Sequence, residues 1–145
     1  MTAKVDKALD RLIEVLPLKA RQESCAAPIK VLHQQVLRGF VEKGCFLTKA
    51  EMATQVDDPD AAVAVLKAND MVVFGENGDP IGAYPFTMEK REHRVAINGQ
   101  AVHAMCALDA LSVSPMFALR TLVTSVCRVS GEPVLIEQNG VRIVN

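Results

Sequence analysis

The chain has 145 residues, of which 50% are hydrophobic and 4% aromatic, and its formal net charge at pH 7 is −1. This length allows one ordinary domain or two small ones with a shared core, while the near-neutral charge gives no general attraction to phosphate backbones or anionic lipid. The N-terminus has no uninterrupted apolar segment of a signal peptide, and no apolar run approaches the roughly 18 residues of a membrane span, so we expect a cytoplasmic protein without a membrane partner.

The first half of the chain is predicted to be helical, because apolar residues recur at helical spacing between recognisable start and stop signals. Pro17 and Gly44 are natural terminators of the first and second helices. Thr48 begins a capping-box pattern that opens the third helix, and the Asp58-Pro59 pair opens the fourth. The predicted helices span about residues 5–16, 28–43, 48–56 and 59–69.

A predicted hairpin follows these helices. Segments 71–74 and 81–84 flank an Asn77-Gly78 pair, which is typical of a tight turn. Helices followed by a hairpin predict a winged helix-turn-helix module, to which we assign residues 1–88. A module of this type that reads DNA needs Lys or Arg on its second helix. That helix here begins with an Asp-rich stretch and has Lys67 as its only base, so we expect a packing module and no nucleic-acid partner.

Residues 89–145 are predicted to form an antiparallel β domain with one short helix. Segments 94–97 and 100–103 alternate around Asn98-Gly99, a second hairpin signal. The helical segment begins at Cys106, and we expect Pro115 to end it. The remaining predicted strands span residues 122–129, 133–137 and 141–144. The predicted fold class is therefore α+β, with an N-terminal winged helix-turn-helix module followed by an antiparallel β-sheet domain.

Cys106 and Asp109 stand three residues apart at the predicted strand-to-helix turn. The unpaired N–H groups of a helix start would lower the pKa of the thiol, and a thiolate is both a nucleophile and a ligand for soft metals. Asp109 would lie on the same helical face, as a second ligand or a proton carrier. His103 extends the pattern, so the candidate metal ligands are Cys106, Asp109 and His103. Taken by spacing alone the motif is weak, and the simpler interpretation, a small buried cysteine and an aspartate that favours the helix dipole, is preferred.

The other cysteines and histidines give weaker signals. No two cysteines stand close enough for a CxxC motif, and free thiols are expected. Cys45 lies in an apolar stretch, which favours core packing, whereas Cys25 lies among polar residues. We expect His33 on the polar arc of the second helix and His93 in a solvated charged connection between the two halves.

A series of motifs runs along the chain: residues 82–88, the Asn98-Gly99 hairpin, and residues 104–111, 120–127 and 130–134. Together they resemble the alkylmercury (organomercurial) lyase family. Their order and spacing agree along nearly all of this chain, which corresponds to roughly the first two thirds of a family member, and the N-terminal winged helix agrees with that family's accessory module.

The resemblance implies protonolysis of a carbon–mercury bond, in which thiolates capture the organomercurial, an aspartate delivers a proton to the leaving carbon, and mercuric ion stays behind. By position, Cys106 matches the first catalytic thiolate, Asp109 the catalytic carboxylate, and Cys127 a structural cysteine. The second catalytic cysteine of the family lies downstream of residue 145 and has no counterpart here. Cys25 is the better candidate for a substitute thiol, and Cys45 the weaker one.

We therefore expect an alkylmercury lyase-like protein that binds a soft metal or organomercurial through Cys106, with Asp109 as ligand or proton donor. The expected partner is a small organometallic or metal ligand, with mercury or copper as the metal and no organic cofactor, and a homodimer is compatible with the sequence. The alternative is a winged-helix transcriptional regulator that senses a thiophilic metal or electrophile through Cys106.

Overall fold

The computed structural model describes Lys7 and residues 18–144, so apart from Lys7 the helix predicted at residues 5–16 lies outside the described residues. The helices of residues 18–144 are α1 (Leu18–Ser24), α2 (Ala27–Lys43), α3 (Lys49–Met52), α4 (Pro59–Ala68) and α5 (Ala107–Phe117). The strands are β1 (Val73–Phe74), β2 (Pro80–Ala83), β3 (Phe86–Thr87), β4 (Arg94–Ile97), β5 (Gln100–Ala104), β6 (Arg120–Val126), β7 (Pro133–Asn139) and β8 (Arg142–Ile143). Within the described part of the chain, no helix is long and apolar enough to cross a membrane.

The strands form one antiparallel sheet in the order β1-β2-β3-β5-β4-β6-β7-β8. The prediction of helices combined with an antiparallel sheet is therefore confirmed. Strand β3 was not predicted. It pairs with β2 on one side and, through Phe86 opposite Ala104, with β5 on the other. A single sheet thus runs across the boundary predicted at residue 88.

Local signals fix the helix ends as the sequence predicts. Gly44 adopts φ 78°, and its N–H bonds to the carbonyl of Phe40, which closes α2. The capping box of Thr48 and Glu51 is present at α3, although this helix ends at Met52 instead of residue 56. At α4, the side chain of Asp58 accepts a hydrogen bond from the N–H of Ala61 at 3.0 Å.

Three phenylalanines join the helices to the sheet. The ring of Phe40 on α2 stacks on Phe86 of β3 with 5.1 Å between the centroids, and Phe86 in turn lies 5.8 Å from Phe117 at the end of α5. Phe40 and Phe86 are fully buried, and burying a side chain of this size stabilises the fold by about 1.5–3 kcal/mol. The aromatic column therefore fixes α2 and α5 against β3, which pairs with β5, the strand that leads to Cys106.

Helix α5 continues through Pro115, so the prediction that this proline ends the helix is wrong. A proline has no N–H and would leave the carbonyl of Leu111, one turn earlier, without its helical partner. The side chain of Gln138 on β7 supplies the missing donor, because its Nε2 lies 3.0 Å from that carbonyl oxygen. The helix can therefore extend to Phe117, where Ala118 adopts φ 52° and the chain leaves the helix.

His33 is fully buried in α2, so the prediction that it lies on the polar arc of this helix is wrong. Its Nδ1 lies 2.7 Å from Nε2 of Gln22 on α1. Its Nε2 has no hydrogen-bond partner, and the backbone of Met71 lies close to the ring. Burial lowers the pKa of His33 to about 4, and the contact with Met71 opposes this only in part. The helical core consequently holds a neutral imidazole.

Candidate functional site

Cys106 lies where β5 ends and α5 begins, as predicted. Its backbone is extended, with φ −147° and ψ 176°, and its Sγ accepts a hydrogen bond from the N–H of Asp109 at 3.4 Å. A cysteine therefore takes the N-cap position, where Ser, Thr or Asp is more usual. The residue is exposed, so an incoming electrophile can reach the sulfur.

The thiol of Cys106 is not activated in the predicted way. Desolvation raises its pKa above the ordinary value, and the hydrogen bond to the Asp109 carboxylate raises it further. Backbone N–H groups of Asp109 and Leu108 lower it, as expected of a helix start, but they are outweighed. The prediction of a lowered pKa is wrong, and at neutral pH the site holds a protonated thiol in contact with a carboxylate that can accept its proton.

A cavity of about 480 Å³ opens beside Cys106. Its volume falls within the roughly 300–1,000 Å³ that is typical of small-molecule pockets. Much of the wall is aliphatic and comes from α5 and the facing strands β6 and β7, and these residues are Ala107, Ala110, Leu111, Val123, Val134 and Ile136. The cavity can therefore hold an apolar group attached to an atom that Cys106 binds.

Four polar residues also line the cavity: Glu92, His93, Ser125 and Arg128. Nδ1 of His93 lies 2.7 Å from Oγ of Ser125, and its Nε2 lies 3.3 Å from Oε1 of Glu92. Nε of Arg128 donates to the same Glu92 oxygen at 2.9 Å, and this hydrogen bond holds the pKa of Glu92 below its ordinary value. We call this set the polar chain.

The polar chain was not predicted from the sequence. The side chain of His93 is only 15% exposed, so the prediction of a solvated connection is wrong. The pairing of β4 with β6 places Arg94 opposite Thr124 and thereby brings His93 beside Ser125. These two residues are 32 positions apart, and no local pattern signals their contact.

Tyr84 is a further neighbour of the site that sequence reasoning missed. Desolvation raises the pKa of its phenol, and the charges of Asp70 and Asp109 raise it further, with a smaller contribution from Cys106. The phenol therefore lies within electrostatic reach of both predicted site residues. It stays protonated and can act only as a hydrogen-bond donor or acceptor at neutral pH.

The structure does not bring His103 to the cavity. It follows Val102 on β5, and alternation of side chains puts it on the face opposite to Val102 and Ala104. Its Nδ1 lies 2.8 Å from the carbonyl oxygen of Arg91. Among the described residues, no three His, Cys, Asp or Glu side chains are grouped so that they could hold a metal ion, and the set of His103, Cys106 and Asp109 forms no such group.

The other three cysteines lie outside the cavity wall. Cys25 packs against the helical core, with its Sγ 3.8 Å from Sδ of Met71. Cys45 is exposed, so the prediction of core packing is wrong. Cys127 is half-buried at the β6–β7 turn, where the Ser130 hydroxyl, and then the backbone N–H groups of that turn, lower the pKa of its thiol to about 7. The structure therefore brings no substitute thiol to Cys106 from Cys25 or Cys45.

Comparison with known proteins agrees with this description. The family model described as "MerB: Alkylmercury lyase" matches residues 86–145, and the resemblance predicted from the motifs is confirmed. The fold is similar to that of a solved structure described as the mercury-bound form of MerB2, with a TM-score of 0.71, 15% sequence identity, and coverage of 88% of this chain and 64% of that one. The chain thus spans less than two thirds of that protein's length. No curated protein sequence matches the chain.

Proposed function

We propose that this chain, which is alkylmercury lyase-like in its fold and in residues 86–145, captures an organomercurial through Cys106 and uses Asp109 to carry the proton. The observation that carries the proposal is the contact between a protonated, exposed thiol and the Asp109 carboxylate beside a largely apolar cavity. The sulfur supplies a soft ligand for the metal, the carboxylate accepts and returns a proton, and the cavity takes the organic group.

The proposed reaction balances with these two groups and one thiol from solution. Exchange between the organomercurial and Cys106 forms the sulfur–mercury bond, releases the original ligand of mercury, and moves the thiol proton to Asp109. Protonated Asp109 then donates to the carbon, the electron pair of the carbon–mercury bond forms the new carbon–hydrogen bond, and the hydrocarbon leaves. Mercury(II) stays on Cys106 and takes a thiolate as its second sulfur ligand from the free thiol, whose proton is released to water.

Mercury suits this site better than copper. A soft ion that accepts one protein thiolate and one external thiolate needs no larger ligand set. Residues 18–144 contain no group of three ligating side chains that would hold a metal needing more protein ligands. Copper therefore remains the weaker alternative, which a comparison of metal affinities separates from mercury.

We also propose that residues 1–88 act as a winged-helix packing module attached to the β domain of residues 89–145. The succession of α2, α3 and α4 followed by the β1–β2 hairpin supports the module. Asp58 and Asp60 begin α4, and its only base, Lys67, lies over the ring of Phe74 at 4.4 Å. Helix α4 therefore offers little positive charge to the phosphates of DNA, and a DNA-binding regulator is not favoured.

The direct test is incubation with phenylmercury and excess free thiol, with measurement of released benzene and protein-bound mercury. We expect the wild type to bind one mercury at Cys106 and to release benzene, and Cys106→Ser to do neither. Cys45→Ser is the matched control, because Cys45 is also exposed but lies outside the cavity, and it should behave like the wild type. Equal mercury binding by wild type and Cys106→Ser would overturn the proposal.

A further inference from the structure

The polar chain lies at the end of the cavity that Cys106 occupies, and the proposed capture of mercury does not use it. The N–H of Ala104 donates to the carbonyl of His93 at 2.9 Å, so His93 stands level with Ala104, two residues before Cys106. The pairing of β4 with β6 puts Ser125 in the same row, and it lines the cavity together with His93 and Cys106. A group bound to the sulfur therefore shares this end of the cavity with a hydroxyl and an imidazole.

The charges fix the direction of the hydrogen bonds in the polar chain. Arg128 has only donors, so Glu92 accepts from it and remains ionised beside Nε2 of His93. A neutral imidazole carries one N–H and one bare nitrogen. Next to a carboxylate, the N–H belongs on Nε2, since a bare lone pair would be repelled there. Nδ1 is then the acceptor, and the Ser125 hydroxyl donates its proton to it at 2.7 Å.

The polar chain can accept a proton from the cavity and pass it to solvent. A donor that approaches Oγ of Ser125 can give it a proton while the proton of the hydroxyl moves to Nδ1 of His93, and the ionised Glu92 stabilises the resulting imidazolium. The exposed fraction of the side chains rises along the polar chain, from 15% at His93 to 32% at Glu92 and 83% at Arg128. The accepted proton therefore has a route to water.

We propose that the polar chain deprotonates the free thiol that supplies the second sulfur ligand of mercury. Ser125 contacts this thiol, His93 is the base, and Glu92 stabilises the imidazolium. The sulfur–hydrogen bond of the thiol breaks, its electron pair forms the bond to the mercury on Cys106, and its proton replaces the one that Ser125 gives to His93. This inference rests on the proposed capture of mercury by Cys106 and names the residues that receive the second thiol.

The test loads the protein with one equivalent of mercuric chloride and follows by absorbance the rate at which two thiols bind the mercury at pH 7.5. 2-Mercaptoethanol, an alkyl thiol, is mostly protonated at this pH and needs a base, whereas 2-nitro-5-thiobenzoate is already ionised. We expect Ser125→Ala to slow the reaction of 2-mercaptoethanol by about 100-fold, the lower end of the usual contribution of a positioned base. The reaction of 2-nitro-5-thiobenzoate should keep its wild-type rate.

Two further variants complete the comparison. His93→Gln keeps a polar side chain that accepts no proton, so it should have the same effect as Ser125→Ala. Thr124→Ala, on the neighbouring exposed position of β6, should change the rate with neither thiol. Slowing of 2-nitro-5-thiobenzoate by as much as 2-mercaptoethanol would mean that the variants only disturb the cavity, and no slowing of 2-mercaptoethanol would mean that another group takes the proton. Either result would overturn the assignment.

Failure of the proposed function gives a different result. The thiol assay starts from mercuric ion and needs no carbon–mercury bond to break. Failure of capture would appear as equal mercury binding by wild type and Cys106→Ser, and failure of protonolysis as the absence of benzene from phenylmercury, whatever residue stands at position 125.

Discussion

The helical core around His33 and the cavity around Cys106 both hold a titratable side chain in its neutral form, but only the second can use it. Burial lowers the pKa of the His33 imidazole to about 4 and raises the pKa of the Cys106 thiol. His33 contacts Gln22, which cannot exchange a proton, and is closed to solvent. Cys106 contacts Asp109 and is exposed. A neutral titratable group can therefore take part in a reaction only where a proton acceptor contacts it and the reactant can reach it.

The largest expected effect comes from Asp109→Asn, which should change the acidity of the Cys106 thiol and the rate of protonolysis in opposite directions. Removing the carboxylate should lower the pKa of Cys106, because Asp109 raises it. Iodoacetamide should therefore alkylate Cys106 faster at pH 7.5 than in the wild type. Release of benzene from phenylmercury should nevertheless fall by about 100-fold or more, the usual contribution of a positioned proton donor.

Asp109→Asn should still bind mercury, since the sulfur ligand is intact. Unchanged benzene release by this variant would show that the proton comes from another group and would remove the contrast between the two regions.

The second effect concerns stability on acidification. Between pH 6.5 and pH 4 the unfolded chain protonates His33 while the folded chain does not. Lowering the pH through this range therefore decreases the free energy of unfolding by about 3 kcal/mol. Above pH 6.5 His33 is neutral in both the folded and the unfolded chain, so it no longer changes the free energy of unfolding with pH. Urea unfolding at several pH values, compared between wild type and His33→Leu, isolates the contribution of His33.

As the pH falls toward 4, the free energy of unfolding should decrease by about 3 kcal/mol more in the wild type than in His33→Leu. Parallel curves would mean that His33 is not held in its neutral form in the folded chain. Burial would then suppress the charge of the side chain at the cavity but not in the helical core.

The smallest effect concerns Cys127, whose thiol pKa is lowered where that of Cys106 is raised. The Ser130 hydroxyl makes the largest contribution to lowering the pKa of Cys127 to about 7. In wild-type protein, alkylation of Cys127 should have its midpoint near pH 7, well below that of Cys106. Ser130→Ala should raise this midpoint and slow alkylation at pH 7 by severalfold, as read by mass spectrometry of the modified peptides. Coinciding midpoints for the two cysteines would contradict the assigned environments.

Sequence reasoning succeeded where the cause is local. Gly44, Asp58 and the Asn98-Gly99 turn act on their own helices or hairpin, and the structure has each of them in the predicted role. The position of Cys106 at a strand-to-helix turn was predicted for the same reason.

Failures arose where distant segments meet. The polar chain needs the pairing of β4 with β6, and the passage of α5 through Pro115 needs Gln138 from β7. The helix start does lower the pKa of Cys106 as predicted, but desolvation in the folded cavity reverses the net direction. Contacts and burial of this kind have no signature in the local spacing of residues.

The hydrogen bond from Gln138 to the carbonyl of Leu111 has an evolutionary consequence. A proline at position 115 is compatible with an unbroken helix only while position 138 supplies a donor, so these two positions are expected to change together among descendants of this sequence. Loss of the glutamine first would expose an unpaired carbonyl in the helix that begins at Cys106, whereas loss of the proline first would be harmless. The order of substitutions, and not only their identity, is therefore constrained in this helix.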